Sequence, residues 1–279
     1  APGDEPYKSI QSRHTVHYDP TEVDPRTKMT EKGVNIGLPT VPPGEFASVR
    51  LGNWDINSQA EGIMYELDVE KNATEILVLK YAPVLQYASR HSAGGGEYEP
   101  HGSDEQSHFY VTFLDQDGKV QRAGCYTFDF SPPGGSTAGD PHWHKTPSAN
   151  GEDRDLGDVQ WREWDSVYIS LMDYVGQHIY LQLATYDCTA TGHFGYAYFN
   201  INCQSGQLVG LSCEDFENDR FVAPAGFLYR WYRQDNPAKI LSTDREFHIP
   251  DNDTLIYYVD VYSEGREDCG YTLTANPNP

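Results

Sequence analysis

From His193 to Ile201 bulky and small residues alternate, with Phe194, Tyr196 and Tyr198 on one side and Gly195, Ala197 and Phe199 on the other. A period of two marks a strand with two distinguishable faces, and the small residues leave one of them open to a facing sheet. The stretch from Glu75 to Gln86 reads differently. Its apolar run, Ile76-Leu77-Val78-Leu79 and then Tyr81-Ala82-Pro83-Val84-Leu85, is nearly continuous and predicts a strand buried on both faces. Alternating patterns predict further strands at Ser48–Gly52, Ala60–Val69, His108–Leu114, Trp161–Ile169 and Gln177–Tyr186. Asp115-Gln116-Asp117-Gly118 is a hairpin turn with Val120–Phe130 as the return strand, and residues 170–176 read as a short helical turn.

Polar stretches divide these elements. Residues 1–45 are polar and proline-rich, and are expected to lie extended over a surface with one short strand near Thr15-Val16-His17. Arg90–Ser107 and Ser131–Asp158 read as long loops, the second of a length that points to function. Gln204-Ser205-Gly206-Gln207 is the natural boundary. Beyond it come short, evenly spaced strands around a central Trp231, which suit an immunoglobulin-like or PKD-like sandwich. No helical pattern of ten residues occurs, so the fold class is all-β, with domains at 1–206 and 207–279.

The net charge of −22 over 279 residues argues against a nucleic-acid partner or an anionic membrane surface. No apolar run is long enough to insert across a bilayer, and no signal peptide is expected in the sequence as given. Tyrosine is abundant at 20 residues, a balance that suits extracellular β proteins and sugar-contacting surfaces. The five cysteines show no CxxC and no zinc-knuckle spacing, which favours an oxidised extracellular chain with two disulfides. Cys188 with Cys203 would close a hairpin-sized loop, and Cys213 with Cys269 would join the first and last strands of the second unit. Cys125 competes for Cys188 or Cys203.

Several residues carry candidate chemistry. His91 and His193, at loops or strand ends beside Asp187, are candidates for a ligand or metal site at one end of the sandwich, against the alternative of hydrogen-bonded loop anchors. His142 and His144 fall on one face of an extended segment, and Trp143 between them is a candidate for sugar stacking or partner contact, with Tyr98 and Tyr196 as further stacking candidates. Asp153, Asp155 and Asp158 form a cluster of hard oxygen ligands suited to calcium, and Glu61 with Asp187 is a second candidate calcium pair. Calcium is therefore the only cofactor expected. No GxSxG, no HExxH and no phosphate-binding glycine loop is present, so no catalytic residue is assigned and no enzyme activity is expected.

Spaced motifs from about residue 40 onward resemble a surface-protein module of secreted Bacteroidetes proteins. They are Pro42-Pro43-Gly44 leading to Ser48–Asn53, Ala60–Tyr65, Tyr81–Gln86 with His91, Tyr174-Val175-Gly176-Gln177, and Asp187-Cys188 with Gly192-His193-Phe194-Gly195-Tyr196-Ala197-Tyr198. The tail, Ala223–Trp231, Leu241-Ser242-Thr243 and Cys269–Ala275, is similar to the PKD or Ig-like repeat that often follows. The resemblance implies a jelly-roll-like β-sandwich with an Ig-like spacer, located at the bacterial cell surface and joined to neighbouring domains of a longer adhesin-like protein. Two function classes follow. The first is a non-catalytic adhesion or structural module that presents its long loops to a glycan or a surface protein. The second is a carbohydrate-binding module of a secreted glycan-degrading enzyme.

Overall fold

The computed structural model describes residues 13–56, 58–70, 75–88, 91–92, 98–99, 101–121, 125–134, 142–147, 158–189, 192–211, 220–249, 255–263 and 265–276. Among them the only helical pieces are 3-10 turns, and the rest of the regular structure is β. The first part of the chain supplies β1 (His14–His17), β2 (Met29–Glu31), β3 (Val34–Ile36), β4 (Ser48–Leu51), β5 (Ala60–Asp68) and β6 (Glu75–Gln86). The pair β7 (His91–Ser92) and β8 (Tyr98–Glu99) precedes β9 (His108–Leu114), β10 (Phe128–Phe130), β11 (Trp143–Thr146) and β12 (Val159–Arg162). Then come β13 (Asp165–Ser170), β14 (His178–Tyr186) and β15 (Gly195–Ser205).

Two antiparallel sheets result. The larger runs β1-β4-β15-β6-β12-β11, with β13 also on β6, and the smaller runs β10-β9-β14-β5. Between β4 and β15 the chain changes sheet repeatedly, the crossing habit of a jelly-roll-like sandwich. At its centre β6 and β15 pair along their whole length, from Leu85↔Gly195 to Glu75↔Ser205. One face of this pair, Leu77, Leu79, Tyr81, Leu85, Ala197 and Phe199, packs on Phe109, Val111, Phe113, Ile179, Leu181 and Leu183 of the smaller sheet. The opposite face, Ala82, Val84, Phe194, Tyr196 and Tyr198, packs under Leu38, Met29 and Ile36. The polar N-terminal stretch is thus a third layer, and it explains why the apolar run in β6 does not alternate.

The expected strand at Trp161–Ile169 is broken in two. β12 ends its pairing at Trp161↔Val84 and β13 begins at Asp165↔Tyr81, so the break lies opposite Ala82-Pro83. Pro83 has no N–H to offer the ladder there, and the strand steps aside at Glu163-Trp164. Residues 115–118 form the expected turn, closed by Gly118 N–H donating to Asp115 O at 2.9 Å. The return is a single bridge at Val120 followed by β10, rather than one continuous strand. The supposed loop at 131–158 contains β11, paired with β12.

The remaining strands are β16 (Val209–Leu211), β17 (Arg220–Val222), β18 (Leu228–Arg233), β19 (Glu246–His248), β20 (Tyr257–Ser263) and β21 (Arg266–Ala275). They form two three-stranded sheets, β16-β17-β19 and β18-β20-β21. Their own core is built on Trp231, which stacks on Phe247 at 5.0 Å, with Tyr257, Val259 and Val261. Arg266 reaches back to the larger sandwich, its guanidinium 4.3 Å over the Phe128 ring and donating to Tyr81 Oη at 3.1 Å.

The cysteine pairing differs from expectation. Cys269 is bonded to Cys125, across the two sandwiches, and so is not available to Cys213, which lies outside the described residues. Cys188 and Cys203 are not joined to each other. β15 runs straight between them, and from Gly195 to Cys203 an extended strand spans about 26 Å, far beyond disulfide reach.

Candidate functional site

The smaller sheet turns one face to the core and the other outward. Phe109, Val111, Phe113, Leu181 and Leu183 take the inner positions, so the period of two sends His108, Tyr110 and Thr112 of β9 and Gln182, Ala184 and Tyr186 of β14 outward. Register places them in rows. His108, Tyr186 and Ala60 lie side by side, as do Asp129, Tyr110, Ala184 and Gly62, and then Thr112, Gln182 and Met64. The small side chain of Ala184 leaves the middle of the face low. A hollow of about 400 Å³ results, lined by Tyr110, Tyr186, His108, Gln182 and, at its rim, Asp104 and Thr189.

The aromatic groups of this face are braced against one another. His108 stacks on Tyr110 at 5.2 Å and 12°, and Tyr110 meets Tyr186 edge-on at 5.4 Å and 86°. His108 Nδ1 lies 2.7 Å from Asp129 Oδ1 and Nε2 lies 3.1 Å from Ser103 O, so the imidazole is fixed at both nitrogens. Partial burial, followed by the Asp129 carboxylate, pushes the Tyr110 phenol up, which keeps it a neutral hydroxyl. Tyr186 is 43% exposed. The face offers two ring platforms at right angles with amide, hydroxyl and carboxylate groups around them.

A second depression, of about 910 Å³, lies between the N-terminal layer and the larger sheet. Val23, Met29, Ile36, Leu38, Trp161 and Trp164 make it mostly apolar. His144 stacks on Trp161 at 4.3 Å, with Nε2 2.9 Å from Glu163 Oε1 and Nδ1 3.7 Å from Glu31 Oε2. His142 Nδ1 lies 4.0 Å from the other Glu163 oxygen. The two imidazoles of this segment do share a face, as their spacing suggests, but they share a carboxylate between them.

The residues singled out in the sequence scatter. Trp143 is 8% exposed and belongs to the core between the sheets, because β11 turns it inward and His144 outward, so it is no stacking group. Tyr196 is fully buried, and its hydroxyl donates to Asp24 Oδ2 at 2.9 Å beside that of Tyr198 at 2.6 Å, so it offers no surface either. The side chains of His91 and Tyr98 lie outside the described residues, as do Asp153 and Asp155. Asp158 is engaged by Lys145 at 2.6 Å.

Asp187 anchors loops. Its Oδ2 accepts from Gln59 N–H at 2.8 Å and its Oδ1 from Gly195 N–H at 3.0 Å. Burial pushes its carboxyl up to about 7 despite those two donors, and nearby Glu61 adds to the rise. Glu61 is itself buried and pairs with Arg13 at 3.4 Å. His193 is buried, with Nδ1 3.2 Å from Cys188 Sγ. Tyr110, Tyr186 and His108 escaped the sequence reading, although the outward phase of the two strands carried the signal.

No protein-family model matches the chain, and no curated protein sequence matches it. Among solved structures it is similar to the glycoside hydrolase domain of Endo-D from Streptococcus pneumoniae R6, at 13% identity and a TM-score of 0.26. The alignment covers 94% of this chain and 37% of that one. A likeness this loose carries no argument for either fold or activity. The chain is an all-β sandwich protein with a tyrosine-lined sheet face.

Proposed function

We propose that the chain is a non-catalytic extracellular binding module that takes a glycan on the outer face of its smaller sheet. The observation that carries this reading is the Tyr110–Tyr186 corner over the hollow floored by Ala184 and bordered by Thr112, Gln182 and Asp104. Sugar rings present apolar C–H faces and polar hydroxyl edges. Ring platforms beside fixed hydrogen-bonding groups complement both. The binding face sits on two adjacent strands of a packed sheet, so little ordering is needed when ligand arrives. The same face would serve an adhesin or a module appended to a glycan-degrading enzyme.

A glycan array followed by titration calorimetry on the strongest class tests the reading. Tyr110→Ala and Tyr186→Ala are each expected to weaken binding about ten-fold, the equivalent of one lost ring contact. Trp164→Ala, in the apolar groove, is expected to leave affinity unchanged. Failure of every glycan class to bind, or full affinity in both tyrosine variants, overturns the proposal.

A further inference from the structure

At one end of the sandwich three side chains from separate segments converge. His101 lies between β8 and β9, Cys188 follows β14, and His193 precedes β15. Their donor atoms all lie within 4.8 Å of one another, and they are the only such group of three among the described residues. All three are more than nine-tenths buried, at 7%, 0% and 2% exposure. The His101 and His193 rings meet edge-on at 5.0 Å.

We propose that His101, Cys188 and His193 form a structural site for a transition metal of zinc type. A thiolate with two imidazoles is a borderline-soft donor set that suits Zn2+ and does not suit calcium. Around a tetrahedral zinc, a sulfur and a nitrogen ligand stand about 3.6 Å apart, and the 3.2 Å between Cys188 Sγ and His193 Nδ1 is within about 0.4 Å of that edge. Binding releases the thiol proton to solvent while the imidazoles ligate as neutral rings, so the site gains one thiolate charge against the dication. Three protein donors leave the fourth tetrahedral position to a water, and burial of all three side chains keeps that position from a substrate, so the metal would hold the junction together rather than catalyse.

The surrounding backbone is already arranged around the sulfur. Gly192 N–H donates to Cys188 Sγ at 3.3 Å, and Cys188 N–H donates to His193 O at 3.0 Å. Across the gap, Thr189 N–H donates to Glu105 O at 3.2 Å, and the Gln106 amide donates to both Ala88 O and His101 O. A metal here would staple β14 of the smaller sheet and β15 of the larger one to the segment before β9. That junction borders the tyrosine-lined hollow at Asp104 and Thr189.

Metal content of the purified chain and its cobalt spectrum test the site without reference to ligand binding. The chain is expected to hold zinc stoichiometrically and, after exchange with Co2+, to show a thiolate-to-cobalt charge-transfer band. Dialysis against 1,10-phenanthroline is expected to lower Tm, with recovery on adding Zn2+ and none on adding Ca2+. Cys188→Ser and His101→Gln, checked for folding by circular dichroism, are expected to lose the metal. The proposal is overturned if zinc-supplied wild type stays substoichiometric, shows no charge-transfer band and melts unchanged. It is equally overturned if folded Cys188→Ser retains its zinc, since the metal then sits elsewhere.

Discussion

Asp24→Ala removes the acceptor on which two buried hydroxyls converge. Tyr196 and Tyr198 donate to its Oδ2 at 2.9 and 2.6 Å, and Arg26 N–H donates to its Oδ1 at 2.8 Å. The contact ties the N-terminal layer to the central strand β15, and all three residues are fully buried. A buried donor stripped of its acceptor costs about 1–3 kcal/mol, so the two phenols together set a loss of roughly 4 kcal/mol. Tyr198→Phe, which leaves the carboxylate with its other donors, is expected to cost about 1 kcal/mol. The informative variant removes both sides of the network. Asp24→Ala combined with Tyr196→Phe and Tyr198→Phe leaves no stranded hydroxyl and is expected to be about 2 kcal/mol more stable than Asp24→Ala alone. Urea unfolding followed by tryptophan fluorescence gives the comparison, provided the slope is the same across variants. If Asp24→Ala costs less than about 1 kcal/mol, or the triple variant is the weaker of the two, the hydroxyls are not held as described.

Other perturbations have equally definite outcomes. Reduction of Cys125–Cys269 opens a crosslink spanning 144 residues, about 5 kcal/mol on the chain-entropy estimate. Calorimetry in reductant should show Tm lower by about 10 °C, and an unmoved transition contradicts the pairing. A Cβ on Gly195 would stand 2.7 Å from Tyr186 O and 3.0 Å from Ser107 Cβ, so Gly195→Ala should destabilise by about 1–3 kcal/mol, and a neutral result by urea unfolding refutes the close approach. Burial holds the His17 imidazole below its usual 6.5 even though Glu22 pulls it back up. The unfolded chain therefore takes up the proton first as pH falls. The His17 contribution is complete above 6.5 and is lost as pH drops below it toward the folded value, so Tm should decline between about pH 7 and pH 5 less steeply in His17→Gln than in wild type. Parallel curves would refute the assignment.

The sandwich was legible wherever the pattern was strictly local. Alternation in Phe194–Phe199 divides the side chains between two cores as the period of two requires, and the unbroken run in β6 is buried on both faces. What covers the second face was not legible, because Leu38, Met29 and Ile36 stand in a polar, proline-rich stretch with no period of its own. Trp143 misled for a related reason. A lone aromatic in a polar segment looks exposed until β11 is known to pair with β12 and turn it inward.

Partnerships distant in sequence were harder still. Nothing along the chain announces that Cys125 faces Cys269, or that His101 closes on Cys188 and His193, since both depend on how the sheets stack. His193 stands at one end of the sandwich, and the side chains whose donor atoms the fold brings to it are Cys188 and His101. Tyr110 and Tyr186 could have been found, because the same alternation that buries Phe109, Phe113 and Leu183 faces them outward.

A crystal structure of the chain soaked with its strongest-binding oligosaccharide tests the central claim most directly. Density for a sugar ring against Tyr110 or Tyr186, with hydroxyls on Gln182, Thr112 or Asp104, is the result this account predicts. Sugar density seated instead between Trp161 and the N-terminal layer, with the tyrosine face bare, would contradict it.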